Sequence, residues 1–457
     1  MTQPSRRQIL QAGAIPALSR GQQFNLLFLM SDQHQRLASG CYGHDTVKTP
    51  NIDALARRAV RFTSAYCPSP VCVPSRGSLI TGQYAHRHGA KILQDALPAG
   101  IPTIAHYFRE RGYATGAIGK MHFVDESRKH GFDHRLNEAS HRATLTAEER
   151  KQLHGDAGGI EGEGLDLPPR FFEDNWFADR AVEFLHAHKS KPFCLWASFV
   201  QPHTPFRPMK KYFDLYDPAK MKLPRRPADD LAGGFEGHLI RARERGWYQQ
   251  TEPAARQSLA GYYGNVSQMD ANVGRVYDAL RELGLEKNTV VVYTSDHGEM
   301  AGAHRMWTKH NMFEESVGVP LLIAVPGGAN GVRTQIVEQI DLFPTLATLC
   351  GLDAVKDIAG RDFAPLVRGQ RYTPREFAYS EYWFCRNVFT KDDRYVGKPP
   401  LRMVRTDRWK LNHLSWSRSE LFDVVNDPGE FHNRIDDTGL SGVVKELTAL
   451  AGRQFIQ

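Results

Sequence analysis

Five apolar runs limit what this chain can fold into: residues 24–30, 113–118, 192–200, 289–294 and 319–325. None alternates apolar with polar residues, so none reads as a strand with one wet face. Each reads as a strand buried on both faces, as in a parallel sheet. Helical spacing fills the gaps between them. Ile52, Leu55, Ala59 and Phe62 form one such set, Phe177, Ala181 and Leu185 a second, and residues 254–283 a long third. Strands alternating with helices predict a doubly wound α/β domain with a mixed sheet, assigned to residues 23–360. Beyond that the texture changes. Residues 376–384, 401–411 and 420–424 read as short strands, Asn426-Asp427-Pro428-Gly429 as a turn, and residues 442–455 as a helix. They predict a smaller α+β unit over residues 361–457. Residues 135–170 are polar and Gly-rich and read either as an insertion at the mouth of a site or as a tolerated surface insertion.

The residues after these runs point to chemistry. Met30 is followed by Ser31-Asp32-Gln33-His34, Ile118 by Gly119-Lys120-Met121-His122, Val200 by Gln201-Pro202-His203, and Thr294 by Ser295-Asp296-His297-Gly298. Open parallel sheets build their sites at the carboxyl ends of strands, so these groups are expected to converge. One polar strand end is an ordinary meeting with solvent; four ending in acids, lysine and imidazoles are not.

Composition narrows the function. With 41% hydrophobic and 24% charged residues the chain is an ordinary globular one. Mean hydropathy is −0.46, and no apolar run approaches the ~18 residues of a membrane-spanning helix. The formal net charge of +7 fits an anionic substrate. No Lys/Arg tract or RNA-binding motif accompanies it, so nucleic acid is excluded as a partner. Six irregularly spaced cysteines argue against a disulfide framework and a CxxC zinc site. Ser5-Arg6-Arg7, followed by Ile9-Leu10 within residues 1–22, resembles a twin-arginine signal and predicts export to the periplasm. The alternative is a basic tail on a cytoplasmic protein.

The most informative segment is Cys72-Val73-Pro74-Ser75-Arg76-Gly77-Ser78-Leu79-Ile80-Thr81-Gly82. Pro74 suits a first helical turn, which places Cys72 just before a helix N-terminus, where free N–H groups attract anions. Read from the residues alone, Cys72 is a nucleophile with Arg76 as an oxyanion clamp, against the plainer reading of a buried structural cysteine.

Cys-x-Pro-Ser-Arg followed by Leu-x-Thr-Gly resembles the signature of the type I, formylglycine-dependent sulfatases. Further likenesses are Asp32, Gly119-Lys120-Met121-His122, Pro202-His203, Ser295-Asp296-His297-Gly298-Glu299, Lys309, Glu314-Glu315-Ser316, Asp341-Leu342-Phe343-Pro344-Thr345 and Glu420-Leu421-Phe422-Asp423. The resemblance implies an alkaline-phosphatase-like fold with a smaller C-terminal sheet domain. It implies that a formylglycine-generating or sulfatase-maturing enzyme converts Cys72 to 3-oxoalanine. It implies one divalent metal held by Asp32, Gln33, Asp296, His297 and residue 72, with Ca²⁺ first and Mn²⁺ or Mg²⁺ as alternatives. Arg76 and Lys120 are implied to neutralise residue 72 and the sulfuryl oxygens, His122 to act as base in releasing sulfate, and His203 and Lys309 to bind sulfate and protonate the leaving oxygen. The family pattern has a second acid at 33 and Asn at 297. Gln33 and His297 are nearer to choline sulfatases and to phosphonate monoester/phosphodiester hydrolases.

The expected activity is therefore hydrolysis of a small anionic sulfate ester or sulfated saccharide, with aryl, choline and carbohydrate sulfates all open. The alternative is phosphonate monoester or phosphodiester hydrolysis on the same scaffold. A non-catalytic sulfated-glycan-binding protein is more remote, because binding alone does not need the conversion motif. His34, His86, His88, His304 and His310 are read as structural, with His304 close enough in sequence to the site to touch substrate.

Overall fold

The computed structural model describes residues 23–153, 159–227, 229 and 231–456. The export segment predicted at residues 1–22 lies outside them. Ten strands precede residue 340 among the described residues: β1 (Asn25–Asp32), β2 (Val60–Phe62), β3 (Ala65–Tyr66), β4 (Ala114–Gly119), β5 (His134–Leu136), β6 (Phe193–Pro202), β7 (Thr289–Ser295), β8 (Leu321–Ala324), β9 (Gly331–Arg333) and β10 (Val337–Glu338). β3 and β10 pair with each other, and the other eight form one mixed sheet in the order β5-β4-β6-β1-β7-β8-β2-β9. The first five in that order are mutually parallel.

Both faces of the sheet are covered, which is why its strands lack alternation. Leu26, Phe28 and Met30 of β1 enter one hydrophobic core with Leu79, Ile80, Ile104 and Phe108, while Leu27 and Leu29 enter a second with Phe177, Leu185, Leu259 and Met269. The helices Glu173–His188 and Glu252–Glu282 lie on that second face, as their spacing predicts.

Two expectations change. The run at 319–325 supplies β8, which is antiparallel to both β7 and β2. Leu321 and Ile323 face one core and Leu322 the other, so a reversed strand inside the sheet is as apolar as a parallel one. Phe62 does not extend the helical set begun by Ile52. That helix is Pro50–Ala56, and Val60 and Phe62 are buried either side of half-buried Arg61 in β2. Two-residue periodicity wins there over the helical spacing.

The C-terminal part is a four-stranded antiparallel sheet, β11 (Ala378–Tyr382), β12 (Leu401–Arg405), β13 (Trp409–His413) and β14 (Glu420–Asp423). The stretch 401–411, expected as one strand, is a hairpin closed by the Thr406 N–H donating to the Trp409 carbonyl at 2.8 Å. The helix Ser441–Ile456 covers one face through Leu447, Leu450 and Ala451 against Tyr379, Val404, Leu411 and Leu421. Phe363, Leu366 and Val367 share one hydrophobic cluster with the large sheet and with Ala378, Tyr382, Leu401 and Met403 of the C-terminal strands.

Candidate active site

Asp32, Lys120, His203 and Asp296 stand at or just past the carboxyl ends of β1, β4, β6 and β7. In the sheet these are four consecutive strands, β4-β6-β1-β7, all pointing one way. Neighbouring strands lie about 4.8 Å apart, so residues scattered over the chain are forced onto one short edge. Asp32 is in register with Pro202, and Ser31 with Ser295. Close approach at that edge demands glycine. At Gly119, φ is +98° and a Cβ would lie 1.8 Å from the Ser198 carbonyl oxygen. At Gly298 it would lie 1.9 Å from the Glu315 carbonyl oxygen.

Cys72 opens a ten-residue helix, Cys72–Thr81, every residue of which is buried. Its thiol sits in the middle of the edge. Sγ is 3.2 Å from His297 Nε2 and 3.7 Å from Asp32 Oδ1. One ligand atom each from Asp32, Cys72, Asp296 and His297 lies within 4.8 Å of the other three, and all four residues are buried. His297 Nδ1 lies 3.0 Å from the Gly298 carbonyl, a contact that needs a proton on Nδ1. Against burial, Asp296 and Cys72 hold the ring above its ordinary value, so Nε2, which faces the cluster, becomes a ligand on giving up its proton. Two carboxylates, an imidazole lone pair and residue 72 make a donor set that fits a divalent cation.

Cations surround this cluster. Arg76 bridges both acids, with Nε 2.8 Å from Asp296 and a terminal nitrogen 3.1 Å from Asp32. It also donates to the Lys120 carbonyl and, at 2.9 Å, to Ser198 Oγ. Lys120 Nζ is 2.6 Å from Asp32. Burial and the neighbouring Cys72 push the Asp32 carboxyl up, but the Lys120 and Arg76 cations hold it well below the usual carboxylate range. Burial also opposes ionisation of the Cys72 thiol; Lys309, Lys120 and His297 overcome it and hold the thiol well below its ordinary value.

His122 and His203 both hydrogen-bond Cys72. His122 Nδ1 is buried and without a partner among the described residues. His203 Nδ1 donates to the Thr204 carbonyl at 2.7 Å. Burial, helped by Lys309 and Lys120, pushes the His203 ring down to about 4, so at neutral pH the resting imidazole is neutral with a lone pair on Nε2. Lys309 is buried and donates to Gln33 Oε1. The other end of the Gln33 amide donates to Glu299, and the Gln33 backbone N–H donates to Asp296 Oδ1 at 3.0 Å. A place for Gln33 in a metal shell would thus be shared with the Lys309 ammonium. Gln33, His122, Thr308 and His310 all have positive φ, a conformation uncommon outside glycine and concentrated at functional sites.

Three of the five histidines read as structural are occupied, while His310 has a buried Nδ1 without a hydrogen-bond partner among the described residues. His34 bonds Tyr293 and the Ala38 carbonyl, His86 bonds Glu381, and His88 bonds Ser78. Sequence reasoning missed Ser198, which holds Arg76, and gave no role to Glu299, which holds Gln33. Glu299 had a signal, lying just beyond Ser295-Asp296-His297-Gly298; Ser198, inside an apolar strand, had none.

Residues 24–352 match the sulfatase family model, and residues 302–454 match the model described as N-sulphoglucosamine sulphohydrolase, C-terminal. The chain belongs to the sulfatase family. Among curated relatives, a choline-sulfatase of Rhizobium meliloti is 32% identical over 94% of this sulfatase and 86% of its own length. An arylsulfatase of Clostridium perfringens is 29% identical over 90% of each chain. The phosphonate monoester hydrolase of Agrobacterium radiobacter shares the fold with a TM-score of 0.83 at 24% identity, covering 94% of this chain and 96% of its own. The family, the fold and the likeness to both groups expected from the Gln33/His297 pattern are borne out. This sulfatase is a hydrolase of sulfuric esters.

Proposed function

We propose that this sulfatase hydrolyses a sulfate monoester at residue 72, after conversion of Cys72 to formylglycine. One divalent cation is held by Asp32, Asp296, His297 and residue 72, with Gln33 as a further candidate ligand. The reading rests on one observation: four buried ligand atoms within 4.8 Å of one another, inside a ring of buried cations. Cys72 Sγ stands where the oxygens of the hydrated aldehyde would be carried. The cation, when bound, polarises an oxygen ligand and lowers its pKa. Ca²⁺ is the expected ion; the His297 nitrogen brings Mn²⁺ forward, and Mg²⁺ is the further alternative for an oxygen-rich set.

The chain's own groups do the rest. Arg76 and Lys120 orient residue 72 and neutralise charge on the sulfuryl oxygens. Lys309 brings a third cation to the ester. His203 has its Nε2 lone pair towards residue 72; the negative charge of a bound sulfate favours its protonation, and the imidazolium can then hold a sulfuryl oxygen or hand its proton to the leaving oxygen. His122 takes the proton of the residue 72 hydroxyl when sulfate is released.

Mass analysis of the peptide bearing residue 72, from protein made in its native host, tests the first step: an aldehyde is expected, and thiol alone would defeat it. Phosphonate monoester or phosphodiester hydrolysis is the second reading, favoured by Gln33 and His297. Rates on matched aryl sulfate, phosphonate and phosphodiester esters separate the two, with sulfate expected to lead. Ser5-Arg6-Arg7 supports export of the folded enzyme, which cell fractionation would refute by finding the protein in the cytoplasm.

A further inference from the structure

A cavity of about 310 Å³ opens beside His203. It is at the small end of the 300–1,000 Å³ common for ligand pockets, room for one ring and not for a chain. Leu165, Phe171, Phe172 and Pro205 give it apolar walls. Leu165 comes from the polar, Gly-rich 135–170 segment, which therefore reaches the site. Two acids lie within. Asp174 is already spent: its oxygens accept the backbone N–H groups of Val200 at 2.7 Å and Gln201 at 2.8 Å. Glu173, the first residue of the Glu173–His188 helix, has no hydrogen bond or ion pair among the described residues. Two arginines border the cavity, exposed Arg142 and half-buried Arg207, the latter paired with Glu163 at 2.9 Å.

We infer that this cavity receives the leaving alcohol as a single neutral sugar ring, seated by its C–H face on the phenyl walls, with Glu173 exchanging a hydrogen bond with a ring hydroxyl. The inference rests on the sulfatase reading above. Three alcohol classes compete, and the cavity separates them. An aryl group would suit the walls but leave the half-buried Glu173 carboxyl unmatched, whereas a hydroxyl would pair with it. A quaternary ammonium could rest on the phenyl walls, but it offers Glu173 no hydrogen-bond donor and would pass two arginines. Burial, with Asp174 and Glu138 nearby, pushes the Glu173 carboxyl up to about 8, so at neutral pH it is mostly a neutral donor and acceptor, which a hydroxyl matches and a fixed cation does not. Arg142 and Arg207 would then meet an anionic substituent or neighbouring residue of a larger glycan.

The test compares kcat/KM on a panel of hexose and N-acetylhexosamine monosulfates with choline sulfate and 4-nitrophenyl sulfate. The best saccharide is expected to exceed choline sulfate by at least ~10-fold, the size of discrimination that pocket contacts provide. Glu173→Ala should cost at least ~10-fold more on that saccharide than on 4-nitrophenyl sulfate, where its rate also reports a folded enzyme. Glu173→Gln, which keeps a neutral donor and acceptor, should recover most of the loss. A preference for choline sulfate overturns the inference. So does an equal loss on both esters in Glu173→Ala, or turnover of 4-nitrophenyl sulfate with none of the saccharides. Turnover of phosphonate esters with no sulfate ester cleaved would bring down the sulfatase reading and this inference with it.

Discussion

Two buried ion clusters in this protein use the same kinds of residue to opposite ends. At the site, Asp32 and Asp296 meet Arg76 and Lys120. At the junction with the C-terminal sheet, Glu314 and Glu430 meet Lys410, with Nζ 3.2 and 2.8 Å away, and Glu314 also pairs with Arg36 at 3.1 Å. The junction closes on itself: Lys410 sits between the two acids, and the Glu314 backbone N–H donates to Glu430 at 2.7 Å. The site does not close. Its cations approach the outer oxygens of the acids, while Asp32 Oδ1, Asp296 Oδ1, His297 Nε2 and Cys72 Sγ turn toward each other. Buried charges that pair completely make a strut; buried donors that converge without a partner at their centre make a binding site. The two are joined, because the Gly298 N–H donates to the Ser316 carbonyl at 2.8 Å, Ser316 lying two residues from Glu314 and Gly298 two residues from Asp296.

The sharpest way to break this contrast is Cys72→Ala. It should lower kcat/KM by at least ~10⁴-fold, as loss of a covalent nucleophile does, while thermal melting moves little. Residual activity within a few-fold of wild type would remove residue 72 from the chemistry. Next in size is metal removal. Chelation of the purified enzyme should cost at least ~10³-fold in rate, recoverable on adding back the ion, and elemental analysis before and after should follow the rate. Lys410→Met should do the reverse of Cys72→Ala. Stripping one partner from a buried ion cluster costs about 3–5 kcal/mol of stability, read by chemical unfolding. The protein that stays folded should keep kcat/KM within a few-fold; a collapse of activity at unchanged stability would make the junction part of the site.

The smallest effect concerns pH. Burial, with Glu314 and Glu315 nearby, outweighs Lys410 and raises the Glu430 carboxyl to about 7, against an ordinary value of 4.5. A group whose folded value is raised binds its proton more tightly in the native state. Its contribution to stability is complete below about pH 4.5 and is lost as pH rises through about 7. Glu430→Gln should therefore flatten the fall of melting temperature between those two pH values. An unaltered slope would show that Glu430 does not titrate there.

Much of the fold was legible because burial on both faces leaves an unmistakable composition. Runs such as 24–30 and 289–294 predicted β1 and β7, and the spacing at 177, 181 and 185 predicted the helix that covers them. Strand direction was not legible, since Leu321, Leu322 and Ile323 are equally buried in either sense. The candidate site was legible where polar residues interrupt an apolar run, as at Asp32, Lys120, His203 and Asp296. It was not legible where a partner is an ordinary residue in an ordinary place. Ser198 looks like any strand serine until Arg76 reaches it, and Glu173 looks like a solvated helix-start acid until the walls of the cavity close around it.

Sequence alone determined which groups end the parallel strands and that Cys72 opens a helix beside Pro74 and Arg76, because chain connectivity and strand burial leave no other arrangement for those runs. Only the tertiary structure decided which oxygens of Asp32 and Asp296 turn toward residue 72, which nitrogen of His297 faces them, and which acid beside His203 lacks a partner. Those outcomes depend on distances of a few tenths of an ångström between residues far apart in the chain, and local sequence carries no record of them.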